Sequence, residues 1–141
     1  MKYCIIFLLF VGIASARLHG YVKRTVEQLK EARADCIEKF PVPAETRELF
    51  KKFEYPEEEI VENYVHCVAV ELQYFVDTEG YIDEHLEKQF GNDKIDIINK
   101  CITFKKDHPD WTLGHWALSD WKCLVKEGLI TEEYKTAILE H

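Results

Sequence analysis

The chain has 141 residues, with 26 acidic side chains against 18 basic ones and five cysteines. That length fits one domain, or one domain with a short targeting segment, and excludes a dinucleotide-binding enzyme with a separate substrate domain. A formal charge of −8 argues against nucleic acid and anionic membrane surfaces as partners, and an aromatic content of 13% argues against disorder.

Residues 1–16, MKYCIIFLLFVGIASA, read as a secretory signal peptide. Lys2 supplies the positive start, residues 5–13 are apolar apart from Gly12, and Ala14, Ser15 and Ala16 are the small residues expected before cleavage after Ala16. The apolar run is well short of the ~20 residues that span a bilayer, which argues against an anchor. Cleavage removes Lys2 and Cys4. It leaves 17–141 as a single domain with 17 basic and 26 acidic residues, a charge of −9, and four cysteines: Cys36, Cys67, Cys101 and Cys123. An even count in an exported chain reads as two disulfides, with three pairings open. Nearest-in-sequence bridges would each stabilise the fold by roughly 3–4 kcal/mol in the chain-entropy view.

The elements, in chain order, all read as helices. Sustained apolar/polar alternation and Asn-Gly or Asp-Gly turns are missing, so no strand is expected. Thr25 and Gln28 fit a capping box opening a helix from about 26 to 39, which Pro41 and Pro43 break. A short helix near 44–52 carries Leu49 and Phe50, with Phe53 at its end. Pro56 opens a long helix to Val76, with Glu57, Glu58 and Glu59 in a first turn where carboxylates favour the dipole. A solvated first turn explains this acidic run better than a cation site. Val65, Val68, Ala69, Val70 and Leu72 leave the middle of the helix apolar nearly all round, so it belongs at the centre.

A turn at 78–80 ends that helix. A short helix over 82–90 stops at Gly91, and Asn92 or Asp93 caps the next, whose apolar face holds Ile95, Ile98, Cys101 and Ile102. After Pro109, Asp110 caps a helix over 111–126 with Leu113, Trp116, Ala117, Trp121 and Leu124 on one face. Gly128 stops it, and Thr131 caps a last helix to about Leu139. The reading is one all-α domain of six to seven short helices.

Three segments carry a resemblance to a known family: TVEQLKEARADC at 25–36, FEYPEEEIVENYVHC at 53–67 followed by the FVDTEGY turn at 75–81, and WALSDWKC at 116–123. The chain resembles the insect odorant-binding proteins (PBP/GOBP), and more closely their four-cysteine "minus-C" group. Six-cysteine members place a second cysteine four before the third and a fifth nine before the sixth. Here those positions hold Asn63 and Gly114, lost together as a bridged pair would be. The resemblance implies helices around an internal apolar cavity, the pairing Cys36–Cys67 and Cys101–Cys123, and reversible carriage of odorants, pheromones, fatty acids or terpenoids. It also implies that Asn63 and Gly114 face each other, where a missing tie would leave a loose edge that admits ligand.

From periodicity alone the aromatic side chains favour a dry core, and the resemblance shifts the reading towards a cavity. Helix faces nominate Phe53, Tyr64, Val65, Val68, Ala69, Leu72, Ile98, Leu113, Trp116, Ala117 and Ile138 as walls, with Tyr64, His66 or His115 as polar handles. Few charges fall on these faces, so a neutral ligand is expected. Burial of ~300 Å² of apolar ligand surface, less the entropic costs of binding, gives affinity of micromolar order.

Catalysis is disfavoured. His115 and Asp120 are five apart on one helix, His66 and Glu71 lack a ligand spacing, and there is no H-E-x-x-H, G-x-S-x-G or glycine-rich calcium loop. No cofactor, metal or membrane insertion is expected, and the chain is read as a monomer or weak homodimer. A secreted scavenger of a biogenic amine or host mediator is the alternative. Ordinary surface or core roles for the histidines outweigh a pH switch.

Overall fold

In the computed structural model, residues 20–139 are described, the side chain of Ile138 apart. The expected signal segment lies outside them. Seven α-helices are present among these residues: α1 (Val26–Lys39), α2 (Ala44–Phe50), α3 (Glu59–Glu71), α4 (Asp83–Phe90), α5 (Ile95–Cys101), α6 (Leu113–Lys126) and α7 (Glu132–Leu139). The Thr25 capping box opens α1 as expected, with the Thr25 side chain and the Gln28 side chain each accepting from the other's backbone N–H.

Three helix ends share one device. After α2, α3 and α6 the chain turns through a left-handed residue, Phe53 (φ 59°), Gln73 (φ 61°) and Gly128 (φ 95°). In each case the next amide donates back to the carbonyl five residues earlier: Glu54 to Leu49, Tyr74 to Ala69, and Leu129 to Leu124. This is the Schellman arrangement, which satisfies otherwise orphaned carbonyls. Two of these positions lack the glycine that announces such a stop, so α3 ends at Glu71 and not at Val76. Its start also moves: Glu58 is the N-cap, and Pro56 and Glu57 form a turn outside the helix. Likewise Thr112, not Asp110, caps α6, its hydroxyl accepting from the His115 amide at 3.1 Å.

The chain leaving α3 forms a small antiparallel ladder, β1 (Phe75–Val76) with β2 (Gly80–Tyr81), which the expectation of no strand did not foresee. Gly80 permits it. Its φ is +82°, and a Cβ there would lie 2.4 Å from the Trp116 ring. The hairpin is thereby pressed onto α6, with Phe75 meeting Trp116 edge-on at 5.1 Å between centroids.

The centre is α3 packed along α6, with α1 packed on α3 and α5 packed on α6. Disulfides join Cys36 to Cys67 (α1 to α3) and Cys101 to Cys123 (α5 to α6), the pairing the resemblance implies. Gln89 in α4 ties down the N-terminal segment, accepting at 2.7 Å from both the Tyr21 hydroxyl and the Arg24 amide. In α6 the buried carboxylate of Asp120 accepts from the Thr103 amide at 3.0 Å and the Thr103 hydroxyl at 2.8 Å, fixing the strand of chain after α5.

Candidate functional site

A half-open pocket of about 30 Å³ is lined by residues of α1, α2, α3, α6 and α7. Its floor is the apolar face of α3, where Val65, Val68 and Ala69 recur at helical spacing and line it with Tyr64. Phe50 of α2 stacks on Tyr64 (5.3 Å, 6° between planes) and on Tyr55 (5.1 Å), forming one wall. Tyr81 and Trp121 also line it, and Tyr134 of α7 meets Trp121 at 5.7 Å. Tyr74, just past α3, completes the ring of tyrosines.

The polar groups in this wall are of one kind. Burial pushes the Tyr55 hydroxyl up to about 12 and moves those of Tyr74, Tyr81 and Tyr134 upward as well. All four are therefore neutral O–H groups at physiological pH. Tyr81 donates to the Ala117 carbonyl at 2.9 Å. The Tyr74 hydroxyl is buried and approaches Tyr21 without forming a well-shaped hydrogen bond. The charged member of the wall is Arg33 of α1. Its Nε donates to the Tyr64 hydroxyl at 3.2 Å and its Nη1 to the Ala137 carbonyl at 2.8 Å. Burial works against the cation, and the oxygens of Tyr64, Tyr134 and Tyr55 hold its pKa above the ordinary arginine value.

Of the residues nominated from helix faces, Tyr64, Val65, Val68 and Ala69 line the cavity. Phe53 does not. Its left-handed backbone turns the chain outward, and it lines a surface groove with Leu49 and Pro56. Leu72, Ile98, Trp116 and Ala117 are buried in the solid core, and Leu113 packs at its margin. Trp116 is filled against by the hairpin, whose close approach no helix-face reading includes. The Ile138 side chain lies outside the described residues.

Neither histidine offered as a handle reaches the cavity. His66 pairs with Asp77 at 2.8 Å and His115 with Glu62 at 2.9 Å, both towards the surface. Sequence reasoning missed Arg33, Phe50, Tyr55, Tyr74, Tyr81, Trp121 and Tyr134 as wall residues. Trp121 and Phe50 lie on helix faces that read as apolar. Arg33 and Tyr55 carried no signal, because a charge on α1 reads as solvated and Tyr55 lies in a loop. The charged wall departs from the expectation of a neutral-ligand site.

The junction of Asn63 and Gly114 is tightly packed, contrary to the expected loose edge. A Cβ on Gly114 would lie 3.1 Å from the carbonyl carbon and the Cβ of Glu62, and 3.3 Å from the Asn63 Oδ1. Absence of a side chain lets α3 and α6 close on each other where a bridge is missing.

Comparison with known proteins decides the lineage. The PBP/GOBP family profile matches residues 19–127, most of the chain. The chain belongs to the PBP/GOBP family. It is 30% identical over 131 residues to Odorant-binding protein 22 of Aedes aegypti, covering 92% of this chain and 93% of that one. It is 25% identical over 136 residues to General odorant-binding protein 99a of Drosophila melanogaster, covering 92% of each. The fold is shared with the crystal structure of the Locusta migratoria odorant-binding protein lmigOBP1 (TM-score 0.62, 14% identity, 85% of this chain and 98% of that one). Family and fold together make this odorant-binding-protein relative a carrier of small hydrophobic ligands and not an enzyme. Among the described residues no helix is long and apolar enough to cross a membrane, and no group of three or more His, Cys, Asp or Glu side chains is placed to hold a metal ion.

Proposed function

We propose that the chain is a secreted extracellular carrier, released after residues 1–16 are removed as a signal peptide. It reversibly binds odorants, pheromones, fatty acids or terpenoids in the internal cavity, as a monomer or weak homodimer. The observation that carries this reading is the convergence of Val65, Val68, Ala69, Phe50 and Trp121 on one small, half-open apolar pocket.

The void of about 30 Å³ has room for one or two water molecules. Sites for drug-sized ligands measure roughly 300–1,000 Å³, so a bound ligand must push a wall outward. The movable panel is α7. It carries no disulfide, and its described ties are the Arg33 bond to Ala137, the Lys23–Glu133 ion pair at 3.2 Å, and the packing of Tyr134 and Ala137. The alternative of an amine scavenger is disfavoured by Arg33, which places positive charge where an ammonium would have to sit.

The test is secretion from cultured insect cells followed by native mass spectrometry and titration with a panel of fatty acids, terpenoids and aliphatic alcohols. The expected result is a mature chain beginning at Arg17 that binds at least one class at micromolar order. Failure of every class to bind below ~100 µM would reject the carrier reading.

A further inference from the structure

We propose that ligand reaches the inner pocket through the groove between the 51–58 loop and α6, and that Tyr55 is the side chain that opens and closes this passage. The inference rests on the carrier reading and adds to it a route of entry.

An inner space of about 30 Å³ admits water and no organic ligand, so entry requires a wall residue to swing aside. Two surface grooves border the pocket, and each shares one tyrosine with it. Tyr55 belongs to the pocket and to a groove of about 660 Å³ whose apolar lining is Leu49, Phe53, Pro56 and Val125. Tyr81 belongs to the pocket and to a groove of about 560 Å³ beside Ile82, Ile102 and Phe104.

The two tyrosines are held differently. Tyr81 is 3% exposed, pairs with Phe75 in the β1–β2 ladder, and donates its hydroxyl to the Ala117 carbonyl at 2.9 Å. Moving it means undoing the hairpin. Tyr55 is half-buried and lies in a loop. Among the described residues its backbone makes no backbone hydrogen bond, and the ties on either side are Glu54 to Leu49 and Glu58 to Pro56. Its ring stacks on Phe50 at 5.1 Å, and its buried hydroxyl lies near the Trp121 indole and Arg33. Tyr55 is therefore anchored by its ring and tip, and rotation of the side chain joins pocket to groove. The opposite bank is fixed, because Cys123 of α6 lines the groove and is bridged to Cys101. Charges at the rim are paired, Lys122 with Glu57 and Glu127 with Lys100, both at 2.9 Å. What they leave between them is a neutral, apolar floor. Its occupant is the carried hydrophobic ligand in transit, because the groove continues into the pocket through Tyr55.

The experiment is stopped-flow fluorescence with N-phenyl-1-naphthylamine, reading association and dissociation in the wild type, Tyr55→Phe, Val125→Trp, Lys126→Trp and Asn99→Trp. A gate changes both rates by one factor and leaves their ratio, the affinity, alone. Val125→Trp and Lys126→Trp narrow the groove and should slow both rates by about three- to tenfold, with Kd held within about twofold. Tyr55→Phe removes the hydroxyl anchor and should speed both by about two- to tenfold, the factor of one ordinary hydrogen bond. Asn99→Trp, in the groove beside Tyr81, should change neither rate. Unchanged rates in both narrowed variants overturn the proposal, as does slowing by Asn99→Trp. Weaker affinity in the narrowed variants without slower dissociation also overturns it, because the groove is then the resting site. Each of these results leaves the carrier reading standing. Failure of the wild type to bind either the probe or dodecanol overturns the carrier reading, and the route with it. Lys126 is exposed, so Lys126→Trp decides if Val125→Trp does not fold.

Discussion

Glu62 of α3 and His115 of α6 meet at 2.9 Å, each one residue from the pair Asn63 and Gly114 whose bridge the chain lacks. A non-covalent contact thus occupies the seam between the two central helices. The His115 side chain is 38% exposed and that of Glu62 18%, so solvent screens the pair and a double-mutant cycle with Glu62→Gln and His115→Ala should give a coupling of about 0.5–1 kcal/mol in thermal denaturation. Introducing Asn63→Cys with Gly114→Cys should form a bridge at less than the ~3–4 kcal/mol gain of the chain-entropy view, because the new Cβ must push α3 away.

Gly80→Ala should be among the costliest single substitutions. It combines a left-handed backbone at φ +82° with a Cβ set 2.4 Å from the Trp116 ring. Strain of ~1–2 kcal/mol and overpacking of ~1–3 kcal/mol predict a loss of about 2–4 kcal/mol in urea unfolding. A loss below about 1 kcal/mol would show that the hairpin is not pinned to α6.

Gln73→Gly should stabilise. Gln73 holds φ 61° at the Schellman stop of α3, a conformation that suits glycine. Relief of strain exceeds the added freedom of the unfolded chain, for a net gain of about 0.5–1 kcal/mol. The exposed bond from Arg24 to the Gln73 side chain is lost, which subtracts little. An unchanged or lower Tm would contradict this account.

Asp120 links stability to pH. Burial raises its pKa in the folded state, against the opposing pull of the Thr103 hydrogen bonds. A raised folded pKa means that the native state binds the proton more tightly than the unfolded chain. Stability from this group is therefore greatest in acid, declines as pH rises from about 4 through the folded pKa, and is level above it. Asp120→Asn should flatten that slope in Tm-against-pH curves. Asp120→Ala, which orphans the Thr103 donors, should cost about 1–3 kcal/mol at neutral pH.

Ala69→Val adds two methyl groups on the cavity floor, where about 30 Å³ is free. It should lower affinity for any aliphatic ligand at least tenfold while changing stability by less than about 1 kcal/mol. Phe53→Leu, outside the cavity, should leave affinity unchanged in the same titration. The reverse pattern would move the binding site to the outer groove.

How much of this was legible beforehand depended on the kind of signal. Helices with polar caps and apolar stripes were readable: Thr25 with Gln28 marks the start of α1, and Gly91 and Gly128 mark stops. The end of α3 was not, because Gln73 does the work of a glycine without being one. The floor of the cavity followed from the periodicity of Tyr64, Val65, Val68 and Ala69. The rest of the wall did not, because it depends on how separate elements converge. Trp116 and Trp121 share one face of α6, yet the hairpin covers the first and leaves the second facing the void. Arg33 shows the limit most clearly. A cation on an otherwise polar stretch of α1 reads as solvated until α7 is laid across it.

The two disulfides close the spans 36–67 and 101–123, which neither overlap nor nest. Covalently, the protein is two separate rings on one thread, while the cavity takes its walls from both. A single protease cut at the exposed 77–79 turn would leave two fragments that part in denaturant without any reductant. A bridge at positions 63 and 114 would have locked those rings together. Without it, packing and non-covalent ties such as Glu62–His115 and Arg33–Ala137 hold the halves of the chamber together.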